Sequence, residues 1–336
     1  MYSEKYTPGL LNSIADVPGI SVGHYTLNNA DIQTGVTAIL PHQGNTFENK
    51  CVAAVEVING FGKSVGLMQV AELGQLETPI LLTNTLSVGT ASDTLIKYML
   101  KDNLQIGAAG TVNPLVLECN DGYLNDIRGQ HVKTEDVFAA IENASVDFSQ
   151  GSVGAGRGMS AYKLKGGIGS ASRVMQKDGV EYCIGALVLS NMGRLQDFSY
   201  YSKELEHKLQ QQLAKRLSEL EGADNGSIIM IIATDLPLDA RQLKRLAKRS
   251  VVALAKTGSQ LGTGSGDICL AFSTANQVCH TEEAMGTVTR YPENQIDRVF
   301  DSAIESLQQA IINSMLNAET VQGHKQHCRI SLKELI

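Results

Sequence analysis

The run Ile228-Ile229-Met230-Ile231-Ile232-Ala233-Thr234, which follows Ser227, constrains the fold more than any other stretch of the chain. It is apolar without a break, so it reads as a strand buried in a core and not as one face of a wet sheet. Immediately before Ser227 stands Asp224-Asn225-Gly226, a turn, because Asn and Gly tolerate positive φ. Before that comes 200–225, the most polar segment of the chain, with Lys203, Glu204, Glu206, His207 and Lys208; it reads as a solvated helix over 202–220. The Gly226-Ser227 bond therefore joins an exposed arm to a buried strand. Two readings are open at this point. One is an ordinary loop-to-strand junction. The other is a self-cleavage site, because a tight turn can press the Ser227 hydroxyl against the Gly226 carbonyl, and glycine adds no side chain to obstruct an N→O acyl shift. Hydrolysis would then leave Ser227 as a new N-terminus that carries a nucleophile and, in its α-amine of pKa about 7.7–8.0, a base.

Strand-like runs lie at 36–40, 52–57, 80–83, 115–118, 159–164, 182–189, 228–234 and 268–273, many β-branched and bounded by Gly, Pro or Asn. Helical spacing appears at 65–76, 89–101, 134–143, 202–220, 239–256 and 294–316. Thr134, followed by Glu135 and Asp136, reads as an N-cap with an acidic first turn, and Asp239 as the cap of its own helix. The pattern is α+β, layers of helices on buried sheets. Hydrophobic residues at 43% suffice for a core without disulfides or metals. The many glycines, 32 of them, flank short apolar runs and so mark turns and close backbone approaches.

Several function classes fit poorly. The net charge is −7 and no basic stretch is dense enough to follow a phosphate backbone, so nucleic acid is not an expected partner. Arg241, Lys244, Arg245, Lys248 and Arg249 recur at helical spacing and read as the wet face of an amphipathic helix whose other face is Leu243, Leu246, Ala247, Val251 and Leu254. No run approaches the ~20 apolar residues of a membrane span. Cys51, Cys119, Cys183, Cys269, Cys279 and Cys328 show no CxxC spacing, and the first residues carry no apolar stretch like a signal peptide. Both point to reduced thiols in a cytoplasmic protein. No metal is expected: of the histidines only His324 and His327 are close, in what reads as a solvated C-terminal tail. The glycine clusters 154–158 and 166–169 are followed by strand-like sequence, which suits turns or pocket walls and not phosphate cradles. Gly262-Thr263-Gly264-Ser265-Gly266 lacks the spacing of a nucleophile elbow.

Eight segments, in order, carry a resemblance: Ala15-Asp16-Val17-Pro18-Gly19-Ile20-Ser21-Val22-Gly23-His24, Leu82-Thr83-Asn84-Thr85-Leu86-Ser87-Val88-Gly89, Glu118-Cys119-Asn120-Asp121-Gly122-Tyr123-Leu124-Asn125-Asp126, Val153-Gly154-Ala155-Gly156, Lys165-Gly166-Gly167-Ile168-Gly169-Ser170-Ala171-Ser172-Arg173, Gly226-Ser227 with its strand, Ala233-Thr234-Asp235-Leu236-Pro237-Leu238 and Gly264-Ser265-Gly266-Asp267. Over nearly its whole length the chain resembles the L-aminopeptidases/D-esterases and β-aminopeptidases, peptidases that cleave themselves and use the freed serine. The resemblance implies a single αββα domain over 1–336, cut into an α-subunit 1–226 and a β-subunit 227–336, and a tetramer of such processed protomers. It implies Ser227 as nucleophile, Asn191 as oxyanion donor, Tyr123 lining the site, and Ser265 with Asp267 orienting the nucleophile and managing its proton. Asp267 stands where some relatives have glutamate, so its reach is shorter; read without the resemblance, 264–267 is a tight turn and Asn191 and Tyr123 are turn residues. Glu118, at a strand end, would pair with the free amine of the substrate or form a structural salt bridge. Arg157 stands where relatives often have a small residue, which would narrow or charge a channel or be surface variation.

The implied reaction needs no cofactor: hydrolysis of a short peptide, amide or ester with a free amino end through an acyl-enzyme on Ser227. Two alternatives accompany it. An ornithine-acetyltransferase-like acyl transferase also cleaves itself, but its relatives usually free a threonine. A non-catalytic member of the fold would have no reason to keep Ser227, Asn191, Ser265 and Asp267 together.

Overall fold

In the computed structural model, which describes residues 5–199, 226–281 and 285–336, the apolar run is strand β11 (Ser227–Thr234), and all of its residues are buried. It lies inside a six-stranded sheet, among the described residues, of order β4-β3-β12-β11-β10-β9: β4 (Gln75–Leu76), β3 (Asn49–Gly60), β12 (Gly266–Cys279), β10 (Val180–Asn191) and β9 (Gly167–Lys177). β11 runs parallel to β12 and antiparallel to β10. A second sheet has the order β1-β2-β5-β6: β1 (Ser21–Asn29), β2 (Ile32–Leu40), β5 (Ile80–Asn84) and β6 (Leu115–Cys119).

The alternation of side chains along a strand explains why β11 has no polar face. Ile229, Ile231 and Ala233 pack between the sheets against Ile39, Leu82 and Leu117. Ile228, Met230 and Ile232 pack on the other face, under the helices α4 (Ala240–Ala247), α5 (Ser250–Thr257) and α6 (Asp297–Leu316), against Leu243, Leu254 and Leu307. Beyond the smaller sheet, Val36, Ala38, Leu81 and Val116 meet Leu95, Met99, Val137 and Ile141 of α2 (Val88–Asp102) and α3 (Thr134–Glu142). The layering is αββα, as expected. Each fully buried isoleucine contributes roughly 1.5–3 kcal/mol, so the central strand is a major source of stability for both halves of the sandwich.

Several local expectations need correction. The stretch 159–164 is not one strand: β7 (Ser160–Ala161) and β8 (Leu164–Lys165) form a small hairpin, turned by Tyr162 and Lys163 at φ 51° and 62°. β1 and β9 were not legible as strands. β9 is built of small residues because α6 lies against it: a Cβ on Gly169 would fall 2.0 Å from the Ala310 carbonyl. The helix expected over 239–256 is two helices, α4 and α5, broken at Lys248 and Arg249. The one expected over 65–76 is α1 (Leu67–Leu73), ended by Gly74 before β4. The first turn of α3 is closed by the Asp136 carboxylate, which accepts the Lys133 N–H at 2.8 Å, and not by Thr134. Asp239 does cap α4, accepting from the Gln242 N–H at 2.7 Å. The basic face of α4 is ion-paired, Lys244 to Glu56 and Arg241 to Glu293, both at 2.6 Å. The polar helix expected over 202–220 lies outside the described residues. The C-terminal segment is not a solvated tail: β13 (Val321–Gln322) and β14 (Cys328–Arg329) form a hairpin, and the His324 N–H donates to the Leu124 carbonyl at 2.7 Å. Among the described residues no helix is long and apolar enough to cross a membrane.

Candidate active site

Ser227 opens β11, Asn191 closes β10 directly opposite it, and Gly266 opens β12 on its other side. The Ser227 side chain is buried, and its Oγ accepts the Gly266 N–H at 3.1 Å. Sterics impose the glycines that flank it. A Cβ on Gly226 would fall 2.0 Å from the Asn191 carbonyl oxygen, and one on Gly266 would fall 2.6 Å from the Phe61 carbonyl oxygen and 3.2 Å from Ser227 Oγ.

Asn191 shares the inter-sheet face of β10 with Leu187 and Leu189, the same face of the sandwich that Ser227 shares with Ile229 and Ile231. Its amide is held at both ends. The Ser160 N–H donates to Oδ1 at 2.8 Å, and Nδ2 donates to the Asn120 carbonyl at 2.9 Å. An N–H only donates and a carbonyl only accepts, so these partners fix which end is which. The amide retains a second N–H for another acceptor. Asn120 belongs to the turn that carries Tyr123, closed by the Gly122 N–H on Asn120 Oδ1 at 2.9 Å. Tyr123 is 39% exposed, and its ring meets two side chains of the C-terminal hairpin: His327 stacked at 4.3 Å and Arg329, whose Cζ is 3.5 Å from the ring centre.

On β12 the Ser265 hydroxyl donates to Asp267 Oδ1 at 2.7 Å, and both side chains are buried. Asn59 Nδ2 ties down this turn through the Ser265 carbonyl and, at 3.1 Å, the Gly262 carbonyl. Asp267 has the strand parity of Cys269 and Ala271, which pack under the helices, whereas Gly266 has that of Ile268 and Leu270 between the sheets. The Ser265–Asp267 pair thus flanks the main-chain start of β11 and does not share the face of the Ser227 hydroxyl.

Glu118 ends up buried on β6. Its carboxylate accepts the Lys63 N–H at 2.9 Å and the Thr85 hydroxyl. Among the described residues no Lys, Arg or His stands within ion-pair distance of it, so the salt-bridge alternative finds no partner there. Gly62 lies between this carboxylate and the head of β12: a Cβ there would meet Glu118 Oε1 at 3.6 Å and Ile268 Cδ1 at 3.8 Å.

Two buried charges brace the surroundings. Burial pushes the Asp121 carboxyl up to about 7, against the pull of hydrogen bonds from Thr34 and Asn125. Burial holds the Lys165 ammonium well below its usual range; it donates to the carbonyls of Gly156, Met159 and Gly166 at 2.9, 3.0 and 2.7 Å. Arg157 is anchored: its Nε donates to Gln33 Oε1 at 2.7 Å.

A family model described as Peptidase family S58 matches residues 12–329. The chain belongs to peptidase family S58. This S58 aminopeptidase is 36% identical to the beta-peptidyl aminopeptidase BapA of Sphingosinicella microcystinivorans, over 94% of this chain and 84% of that protein. Its fold matches the crystal structure of the PH0078 protein of Pyrococcus horikoshii OT3 at a TM-score of 0.90 and 49% identity, covering 98% and 94% of the two chains. It also matches the L-aminopeptidase D-Ala-esterase/amidase of Ochrobactrum anthropi, described as a variant of the Ntn hydrolase fold, at a TM-score of 0.89 and 33% identity, covering 97% and 92%. The chain is therefore a peptide hydrolase with the layered fold of those aminopeptidases.

Of the sequence-predicted residues in this S58 aminopeptidase, Ser227 and Asn191 are cross-strand partners, Ser265 and Asp267 are bonded to each other, and Tyr123 is linked to Asn191 through the Asn120 turn. The hydrogen bonds of Glu118 go to the Lys63 N–H and the Thr85 hydroxyl. Sequence reasoning missed Ser160, Thr85, Asn59, Asp121, Lys165 and Arg329. Thr85, Asp121 and Lys165 fall inside segments that carry the resemblance; Ser160, Asn59 and Arg329 had no such signal and act through contacts from distant parts of the chain.

Proposed function

We propose that this peptidase is a self-processing N-terminal serine hydrolase that removes the N-terminal residue from short peptides, amides or esters through an acyl-enzyme on Ser227. One observation carries the reading: Asn191 stands opposite Ser227 with its amide oriented from both ends and one N–H still to give. A preoriented donor beside a serine is what a developing oxyanion requires. Cleavage at Gly226–Ser227 yields the subunits 1–226 and 227–336 and frees the Ser227 amine. Ser227 Oγ then attacks the substrate carbonyl, and its proton passes to that amine. Asn191, with Tyr123 at the rim, stabilises the oxyanion. The leaving amine or alcohol departs with the proton, and water releases the acyl group by the reverse sequence.

Ser265, bonded to Asp267, serves the α-amine, which its place just before β12, beside the head of β11, supports. Glu118 receives the substrate's ammonium; a buried carboxylate with two neutral donors and no cation beside it among the described residues is suited to that. Acceptance of β-peptides and of D-alanine esters is proposed by analogy with the relatives whose names specify them. The processed protomers form a tetramer, and the six thiols, none paired, accord with a cytoplasmic setting.

The test is mass spectrometry of the purified protein, then of protein quenched during turnover of an amino-acid ester. Two fragments, with an acyl adduct on the smaller one at Ser227, are expected. A single active chain, or an adduct elsewhere, overturns the reading.

A further inference from the structure

The C-terminal hairpin reaches the site from the far end of the chain. Arg329 is 7% exposed, and its guanidinium lies over the Tyr123 ring at 3.5 Å, while His327 stacks on the same ring at 4.3 Å with 11° between planes. His327 Nδ1 donates to the Tyr123 carbonyl at 2.8 Å, since a carbonyl can only accept. Arg329 Nε donates to Ser160 Oγ at 3.1 Å. Ser160 gives its own N–H to Asn191 Oδ1, and Asn191 Nδ2 reaches the carbonyl of Asn120, three residues before Tyr123. The contacts close a ring: Arg329 to Ser160, to Asn191, to the Asn120 turn, to Tyr123 and back to Arg329. Shifting one member breaks contacts on both sides of it, so a closed ring holds its members more tightly than a chain of the same bonds.

We propose that Arg329 is a positioning residue that locks Tyr123 and Asn191 into one working arrangement. The proposal rests on the reading of those two residues given above. Arginine suits the task because it stacks flat on an aromatic ring and donates in its plane at once; lysine offers the charge without the planar donor. The two catalytic side chains come from different sheets, β6 with its following turn and β10. Ser160 and Arg329, on two small hairpins, bridge that gap.

The experiment compares wild type with Arg329→Met, Arg329→Lys and Ser160→Ala in hydrolysis of an aminoacyl p-nitroanilide, normalised to folded protein by thermal melt and near-ultraviolet circular dichroism. Loss of preorientation acts on the transition state, so Arg329→Met is expected to lower kcat about 10- to 100-fold with KM within about threefold. Arg329→Lys, which keeps a cation at the ring, should recover part of the loss, and Ser160→Ala should show a smaller loss of the same kind. Should Arg329→Met fail to fold, the other two variants carry the comparison. A kcat within twofold of wild type for the folded variants, or a loss expressed in KM alone, overturns the proposal. An acyl adduct away from Ser227 in wild type would sink the functional reading instead, while the kcat ratios would still decide the role of Arg329.

Discussion

Asn191 faces Ser227 across the ladder between β10 and β11, and its amide is clamped between the Ser160 N–H and the Asn120 carbonyl. Directly opposed residues in an antiparallel pair hold their Cβ atoms about 4.5–5.5 Å apart. A carbonyl under attack by Ser227 Oγ therefore has its oxygen within reach of a donor that is already oriented.

Replacing Asn191 by Ala should lower kcat by about 10²–10³ and leave KM nearly unchanged, the signature of a donor that acts on the oxyanion. Steady-state kinetics on a peptide amide measures this. A variant whose loss lies in KM would assign Asn191 to substrate recognition.

Ser227→Ala should remain a single chain, and the smaller wild-type fragment should begin Ser-Ile-Ile-Met on Edman degradation. Gly226→Ala should cut slowly or misfold, because its Cβ would fall 2.0 Å from the Asn191 carbonyl. Splitting of Ser227→Ala at the same bond would mean that another protease does the cutting.

If the freed α-amine is the base, kcat/KM should rise with pH through an ionisation near about 7.7–8.0. A carboxylate beside an ammonium favours the charged form, so Asp267→Asn should move that limb to lower pH. Ser265→Ala should slow turnover more than it weakens binding. A limb that stays in place in Asp267→Asn would make the Ser265–Asp267 pair a turn and nothing more.

Glu118→Gln should raise KM for substrates with a free ammonium by roughly 10- to 100-fold, the loss of one charge-assisted hydrogen bond, with a small change in kcat. Equal effects on amine and N-acetylated substrates, measured side by side, would remove Glu118 from amine binding.

Asp121 makes stability depend on pH. Its carboxyl rises from 3.8 to about 7 on burial. A carboxyl raised in the folded state favours folding fully below the unfolded value, and that contribution is lost as pH climbs from 3.8 through 7. The loss is roughly 4 kcal/mol at most, at about 1.4 kcal/mol per pH unit. Asp121→Asn keeps the size and removes the charge, so its melting temperature should gain on wild type steadily between about pH 4 and pH 8. Parallel curves would show that Asp121 does not carry this dependence.

The uninterrupted apolar run of β11 announced a strand buried on both faces, and the glycine beside Ser227 announced a close approach, because both facts are written in adjacent residues. The order of motifs likewise pointed to the family that the comparisons show. Other features had no local signature. The strand β9 is hidden by small residues whose purpose is to admit α6, and the bend at Tyr162 and Lys163 breaks an apolar stretch that reads as continuous. His327 reads as part of a solvated tail because 322–327 is polar; the partner of His327 and Arg329, Tyr123, lies about two hundred residues away. The sequence by itself determined a mixed α and β chain with buried strands and a serine at a turn-to-strand junction, since hydrophobic period and turn chemistry act over a few residues; the αββα layering and the role of Ser227 came with the family resemblance. Tertiary structure alone decided which groups orient Asn191, what flanks Tyr123 and which face of β12 Asp267 occupies, because hydrogen bonds and ring contacts depend on distances in space that no local pattern encodes.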